Sequence, residues 1–415
     1  MTQSNTIAGL DIGGGRVTCI IAAEDPETET LRVLAGSSKP CRGLKGGVVV
    51  DIRETANSIS QAVEEAENIA EEEIDSVFLG VRGVHLLSQN SHGAYNIARA
   101  DREISADDVQ ATIENAKAIP IAADREIIQV IPQSFSIDRQ RGVPNPEGME
   151  GSLLEVDVHI VTASSSHLNN IVKSVAKAGL RVEETYYSLL TLGECVLTAE
   201  EKELGTILMD MGGENLSVGI FVDGGIKFSR EIPYGCDLIT RDIAYALHTS
   251  RDTARELKEK YGVAISSLLG EDGEIPVPSL DRNTSHNIKA SFLLDIIQPR
   301  AEELFDKMRD EVQKSRYADV PGLGVLTGGG ALLRGMNEQC ARSMGLREIR
   351  QAQIPRDAVM SDDEYFHPTY TTAMSLVIYP HLRLAGGIDS GSPKKAPFIG
   401  KVTDFFKSFD LFGGD

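Results

Sequence analysis

Thr6-Ile-Ala-Gly-Leu-Asp-Ile-Gly-Gly-Gly-Arg-Val-Thr-Cys-Ile-Ile21 reads as an apolar strand, a glycine turn and a second apolar strand. Further along, Thr206-Ile-Leu-Met-Asp-Met-Gly-Gly-Glu-Asn-Leu-Ser-Val-Gly-Ile-Phe-Val222 repeats the same plan. The aspartates that precede the glycines, Asp11 and Asp210, are 210 − 11 = 199 positions apart. The continuations of the two units match as well. Leu31 to Ala35 and Gly225 to Ser229 read as third strands. A helix comes next, over Arg53 to Glu73 in one half and Asp237 to Leu247 in the other. The first of these helices places Ala56, Ile59, Val63, Ala66 and Ala70 on one face. One glycine hairpin alone is an ordinary connector. Two with matching continuations imply a duplicated domain whose halves enclose a cleft.

The glycine turns have a chemical use. Without a Cβ, Gly13, Gly14 and Gly15 in one turn, and Gly212 and Gly213 in the other, let backbone N–H groups approach an anion. Facing each other, the turns would cradle a polyphosphate from both sides. Asp11 and Asp210 would then repel the phosphates unless a divalent cation stood between them. Mg²⁺ suits that place, since it accepts one or two carboxylates, often through water, together with phosphate oxygens. A third run, Gly324-Val-Leu-Thr-Gly-Gly-Gly-Ala331, offers Gly328, Gly329 and Gly330 as a surface for a purine or its ribose. Taken alone, it too is a common strand-to-helix connector.

The stretch from Val84 to Ala163 has a different character. Ser105 and Asp108 mark a helix start, continued by Val109, Ile113, Ala116 and Ile119. Strand-like runs at Glu126 to Ile131 and Leu154 to Thr162 flank a Pro/Gly-rich loop, as in a small inserted α+β unit. Leu168, Ile171, Val172 and Val175 make another amphipathic helix, and Ile288 to Lys314 a long one.

A chain of 415 residues fits two to four domains or subdomains. Its formal net charge of −21 argues against sequence-independent nucleic-acid binding, which needs a basic footprint. The same charge requires any membrane contact to be local. The five cysteines are scattered, with no CxxC pair, which points to a reducing compartment instead of a disulfide or zinc framework. The N-terminus has neither a basic start nor an apolar signal core. No run of about 18 apolar residues is present, so no spanning helix is expected.

From Ala385 to Pro397 the composition is that of a linker. Beyond it, Phe398, Val402, Phe405, Phe406, Phe409 and Phe412 fall on one helical face, with Ile399 at its margin and Pro397 at the start. Five of the twelve phenylalanines lie in this tail, so a hydrophobic surface is its evident target. Burying such a face is worth about 1.5–3 kcal/mol per side chain. Lys394, Lys395, Lys401 and Lys407 would each add about 1 kcal/mol near anionic lipid. Amphipathic helices usually dock on their own protein. The linker and the terminal position favour an interfacial membrane anchor.

In order, DIGGG, DMGG and LTGGG are similar to the two phosphate motifs and the adenosine motif of the actin/Hsp70/sugar-kinase superfamily. Within it, the chain resembles the FtsA family of bacterial cell-division proteins. The resemblance is carried by Cys41-Arg-Gly-Leu-Lys-Gly-Gly-Val48, Val130-Ile-Pro-Gln133, Val158-His-Ile-Val-Thr162, Glu231-Ile-Pro-Tyr-Gly235, Asp242-Ile-Ala-Tyr-Ala246 and the tail. It implies an α/β, duplicated actin-like ATPase fold with an inserted α+β subdomain, called 1C, and a C-terminal amphipathic helix. The implied divisions are subdomain 1A at 1–83, 162–192 and 370–384, and 1C at 84–161. Subdomain 2A then takes 193–228 and 301–369, 2B takes 229–300, the linker 385–397 and the membrane helix 398–412.

The resemblance further implies ATP with Mg²⁺. Phosphate would be bound by Asp11, Gly13, Gly14, Gly15, Arg16, Asp210, Gly212, Gly213, Glu214 and Asn215, with the metal held at Asp11 and Asp210 through water. Ribose and adenine would meet Gly328, Gly329 and Gly330 and the charged run Arg255, Glu256 and Lys258, which reads equally well as a solvated helix face. Implied partners are the tail of the tubulin-like division protein FtsZ, further copies of the chain in a filament, other division proteins, and anionic lipid. Lipid would be met through Phe398, Ile399, Lys401, Val402, Phe405, Phe406, Lys407, Phe409 and Phe412. The implied place is the cytoplasmic face of the membrane at the division site.

The sequence also departs from the family pattern. Gly14 and Gly15 replace a small or hydroxyl residue, and Arg16 a common lysine. Glu214 puts a carboxylate beside the expected phosphate, and Ser217 replaces an acid. No acidic residue opens the helix near Tyr186. Slow or absent hydrolysis is therefore expected, and no catalytic residue is assigned. A small-molecule kinase or an actin-like pilus-assembly scaffold on the same fold are the competing functions.

Overall fold

In the computed structural model, residues 6–25, 30–99, 101–278, 285–320 and 322–384 are described. The expected linker at 385–397 and the helix at 398–412 lie outside them.

Strands β1 (Thr6–Ile12), β2 (Arg16–Glu24) and β3 (Leu31–Pro40) form an antiparallel meander. The short pair β4 (Leu44–Lys45) and β5 (Val48–Val49) leads into helix α1 (Ile52–Ala70), and β6 (Ser76–Val81) returns parallel to β1. The insertion supplies β7 (Leu86–Asn96), α2 (Ala106–Lys117), β8 (Arg125–Ile137), β9 (Gln140–Val143) and β10 (Leu153–Ser164). Helix α3 (Ser165–Lys177), strand β11 (Arg181–Tyr187) beside β6, and helix α4 (Ser188–Val196) complete the first half. After α5 (Ala199–Leu204) the plan repeats with β12 (Thr206–Met211), β13 (Leu216–Val222) and β14 (Gly225–Ile232). Helices α6 (Asp237–Ala246) and α7 (Arg251–Tyr261), the paired strands β15 (Glu274–Pro278) and β16 (Ser285–Lys289), and the long α8 (Ala290–Gln313) come next. Strand β17 (Leu323–Thr327), α9 (Met336–Met344), β18 (Glu348–Gln351) and α10 (Thr371–Leu384) close the described chain.

The internal echo becomes two sheets of one topology. The first is ordered β3-β2-β1-β6-β11 and the second β14-β13-β12-β17-β18. In each, three antiparallel strands are followed by two parallel ones, so β1 matches β12 and β6 matches β17. The central strands are buried on both faces, which is why they read as continuous apolar runs. One core packs the first sheet against α1, α3, α4 and α10, and another packs the second against α6, α7, α8 and α9. A smaller core fills the insertion, whose sheet runs β7-β10-β8-β9. The chain thus has the duplicated actin-like α/β fold with an inserted α+β unit.

Local signals explain most boundaries. Asp51 caps α1 by accepting the N–H groups of Arg53 and Glu54 at 2.8 and 3.1 Å. Ser105 and Asp108 form a reciprocal capping box on α2. Two differences from the sequence expectations have physical causes. Strand β7 carries no strand signal because it is polar along most of its length, an edge strand paired on one side only, to β10. The helix expected near Tyr186 begins at Ser188, since Tyr186 and Tyr187 finish β11 as buried strand residues.

The insertion also touches the second half. Ser88 Oγ, Asn90 Nδ2 and Gln133 Nε2 donate to the carbonyls of Ser229, Lys227 and Ile226 at 2.7, 2.9 and 2.7 Å. These carbonyls belong to β14, an edge strand, so side chains supply partners that a neighbouring strand would otherwise provide.

Candidate functional site

Asp11 and Asp210 occupy equivalent places near the ends of the matching strands β1 and β12. Asp11 lies between Thr18 of β2 and Gly80 of β6, and Asp210 between Ser217 of β13 and Thr327 of β17. Both are buried, and the two halves bring them to one cleft. The sequence calls for a cation between them, and one is there. It is the guanidinium of Arg82, which donates from Nη2 to Asp11 Oδ1 at 2.6 Å and from Nη1 to Asp210 Oδ2 at 2.7 Å. Burial alone would weaken the Arg82 charge; the two carboxylates outweigh it and hold the guanidinium protonated more firmly than usual.

Glu214 is the second bridge across the cleft. Its Oε2 accepts the N–H of Gly46 at 2.6 Å. Its side chain lies against Gly14 so closely that a Cβ there would stand 2.7 Å from Oε2 and 2.9 Å from Cγ. A carboxylate therefore rests on the first glycine turn, on the surface assigned to phosphate. Burial raises the pKa of Glu214, partly opposed by the Gly46 N–H.

Glu231, at the end of β14, makes a third bridge. It accepts the N–H of Gly83 at 2.9 Å and Ser217 Oγ–H at 3.0 Å through Oε2, and the Tyr187 hydroxyl at 3.1 Å through Oε1. Complete burial pushes its pKa up to about 7, against the pull of these donors and of Arg82.

The other expected phosphate residues divide into two sets. Gly13 donates its N–H to Arg16 O at 2.9 Å, closing the β1–β2 turn, and Gly15 stands open beyond it. The Gly212 and Gly213 carbonyls accept N–H groups of Cys236 and Asp237 at the start of α6, fixing the second turn on that helix. Asn215 is buried beside Gly46 and Gly47, and its Oδ1 has no partner within the chain. The Arg16 side chain is turned elsewhere, donating to Ser38 Oγ and Ser38 O at 2.7 and 2.6 Å. It is not assembled with the aspartates.

In the third turn, Gly328 has φ +82°, and a Cβ there would meet Asp210 Oδ1 at 2.2 Å. Gly330 packs on Cys236 and Met211, whereas Gly329 faces open space. Of the expected ribose and adenine contacts, Arg255 and Glu256 are exposed on α7, and Lys258 Nζ donates to Thr240 Oγ1 at 2.9 Å. Lys258 is thus engaged in packing α7 on α6.

The expectation of Mg²⁺ held by Asp11 and Asp210 does not fit this arrangement. An oxygen of each carboxylate already receives a guanidinium N–H, and arginine does not give up its proton in a protein.

Arg82 is absent from the residues that the motifs single out, although a signal for it exists. Gly80 lies opposite Asp11, and Thr327 lies opposite Asp210. Two positions on, Arg82 therefore matches Gly329, and Gly83 matches Gly330. Extending the internal echo to the fourth strand places Arg82-Gly83 at the cleft.

Comparison with known proteins agrees with the fold and extends the resemblance. The family profile of the SHS2 domain inserted in FtsA matches residues 83–162, and that of cell division protein FtsA matches residues 207–375. Cell division protein FtsA of Pseudomonas aeruginosa is 35% identical over 405 residues, covering 95% of this chain and 96% of its own. That of Escherichia coli K12 is 30% identical over 387 residues, covering 91% of each. Among solved structures, a PilM-PilN type IV pilus biogenesis complex superposes with a TM-score of 0.65 at 18% identity, covering 91% of this chain and 98% of that one. MreB5 of Spiroplasma citri bound to ADP gives a TM-score of 0.50 at 11% identity, covering 90% and 94%. At such identities these structures share the fold.

Proposed function

Since the chain belongs to the FtsA family of cell division proteins, we propose that it is an actin-like, ATP-binding adaptor that polymerises and tethers FtsZ to the inner face of the cytoplasmic membrane. The observation that carries this reading is likeness along almost the full chain, at 35% identity over 95% of its length. The two facing glycine turns, brought to one cleft by the duplicated sheets, support a nucleotide there. The Phe-rich stripe of the tail supports the membrane contact, with other division proteins and further copies of the chain as partners. Among the described residues, no helix is long and apolar enough to cross a membrane. A peripheral attachment through the tail is consistent with that.

The pilus-scaffold alternative draws on structural likeness alone, at 18% identity, which speaks to fold and not to partner. Two measurements test the proposed reading. A labelled peptide of the FtsZ C-terminal tail should bind the full chain, and the full chain should co-sediment with anionic liposomes. Truncation after Ala396 should abolish sedimentation and leave peptide binding intact. Failure of the full chain to bind the peptide removes the adaptor reading, and unchanged sedimentation of the truncated chain removes the anchor.

A further inference from the structure

The two carboxylates at the heart of the cleft form a strongly anionic centre in a buried place. Left alone, each would be costly, and the pair more so. The chain resolves this from within. Arg82 directly follows β6, and its fork reaches both acids, so that a single guanidinium joins the first half to the second. Its side chain and that of Asp11 are 12% exposed and that of Asp210 3%, so water screens this contact little.

Three further observations bear on what occupies this centre. The Asp210 oxygen not bound to Arg82 is enclosed by Gly328, where even a methyl group would stand 2.2 Å away. A metal therefore cannot approach Asp210 from that side while the third glycine turn keeps its place. Arg82 Nε and Asp210 Oδ1 are both buried with no partner within the chain, so the bridged centre leaves one donor and one acceptor unmet. Finally, a second cation placed beside a guanidinium that cannot deprotonate would meet like-charge repulsion in a weakly screened site.

We propose that Arg82 is the built-in cation of this cleft, its guanidinium joining Asp11 to Asp210 where a divalent ion would otherwise sit, so that nucleotide phosphates are met with no metal between the aspartates. The proposal rests on the reading of the cleft as the nucleotide site. The role of Arg82 is positional: it holds the two carboxylates together and neutralises part of their charge while the glycine turns supply N–H donors. Removal of the guanidinium exposes a two-carboxylate site of the kind that Mg²⁺ accepts.

Metal-dependent stabilisation of the full chain tests this. Thermal unfolding of the wild type, without nucleotide, should have the same midpoint in excess Mg²⁺ and in EDTA. Arg82→Ser should melt lower in EDTA and recover by several degrees in Mg²⁺, because the vacated space now binds the ion in the folded state only. Titration of the wild type with a fluorescent ATP analogue in EDTA should retain binding within about tenfold of that in Mg²⁺, a difference of about 1.4 kcal/mol. Stabilisation of the nucleotide-free wild type by Mg²⁺, or complete loss of analogue binding in EDTA, overturns the proposal even if Arg82→Ser fails to fold. Absence of analogue binding in both buffers removes the nucleotide reading together with the inference, whereas loss in EDTA alone spares that reading.

Discussion

Glu214 Oε2 accepts the backbone N–H of Gly46 at 2.6 Å, joining two halves of the molecule across 168 positions of chain. The carboxylate takes the role expected of a phosphate oxygen: an anion held by a backbone donor at a glycine-rich turn. With Arg82 between Asp11 and Asp210, the cleft is closed by charges that the chain itself supplies. A nucleotide entering it must displace Glu214 or bind beside it, against a like charge.

Replacement of Glu214 by Gln removes that charge and preserves the size of the side chain. Two unit charges about 4 Å apart interact by about 1 kcal/mol even in bulk water. Glu214→Gln should therefore tighten binding of a fluorescent ATP analogue by at least about fivefold. An unchanged or weaker affinity would show that Glu214 is not in the path of the phosphates.

Asp210 and Arg82 form a buried ion pair at 2.7 Å. Truncation of Asp210 leaves Arg82 paired with Asp11 alone and its Nη1 donor unmet, so Asp210→Ala should cost about 1–3 kcal/mol in urea unfolding. Combined with Arg82→Met, the loss should be smaller than the sum of the two single losses, by about 0.5–3 kcal/mol. Strict additivity would mean that the pair is not formed in solution.

Glu231 makes the stability depend on pH in a sense opposite to that of an ordinary salt-bridged acid. Its pKa in the fold is about 7, against 4.5 for the free side chain. Between those values the folded state binds the extra proton, so the contribution of Glu231 to stability falls as pH rises from 4.5 to 7. The full loss is on the order of 3 kcal/mol. Glu231→Gln should flatten this part of the pH–stability curve measured by urea unfolding. An identical slope in the variant would place the titrating group elsewhere.

Gly328 and Gly329 are neighbours with different tolerances. Gly328 combines φ +82° with a prospective Cβ contact of 2.2 Å to Asp210, whereas nothing lies within 4 Å of a Cβ on Gly329. Gly328→Ala should destabilise the chain by about 2 kcal/mol or more, counting the left-handed backbone cost alone as about 1–2 kcal/mol. Gly329→Ala should leave the melting midpoint nearly unchanged. Equal effects from the two substitutions would contradict the packing of this turn.

The duplication, and with it the fold, is legible along the chain before any folding is considered. Apolar runs with glycine turns after Asp11 and Asp210 specify strands and hairpins locally, and the capping residue Ser105 specifies a helix start over three positions. Those signals depend on near neighbours, so they can be read from residue order. Charge pairing across the cleft cannot be read in that way. Arg82 and Asp210 are 128 positions apart, and Gly46 and Glu214 are 168 apart, so their meeting depends on how the two halves pack. The edge strand β7 is hidden because most of its residues are polar and its pairing partner β10 is distant in the chain. The need for a cation between two buried aspartates comes from elementary electrostatics; that the cation is an arginine of the chain is set by where β6 ends.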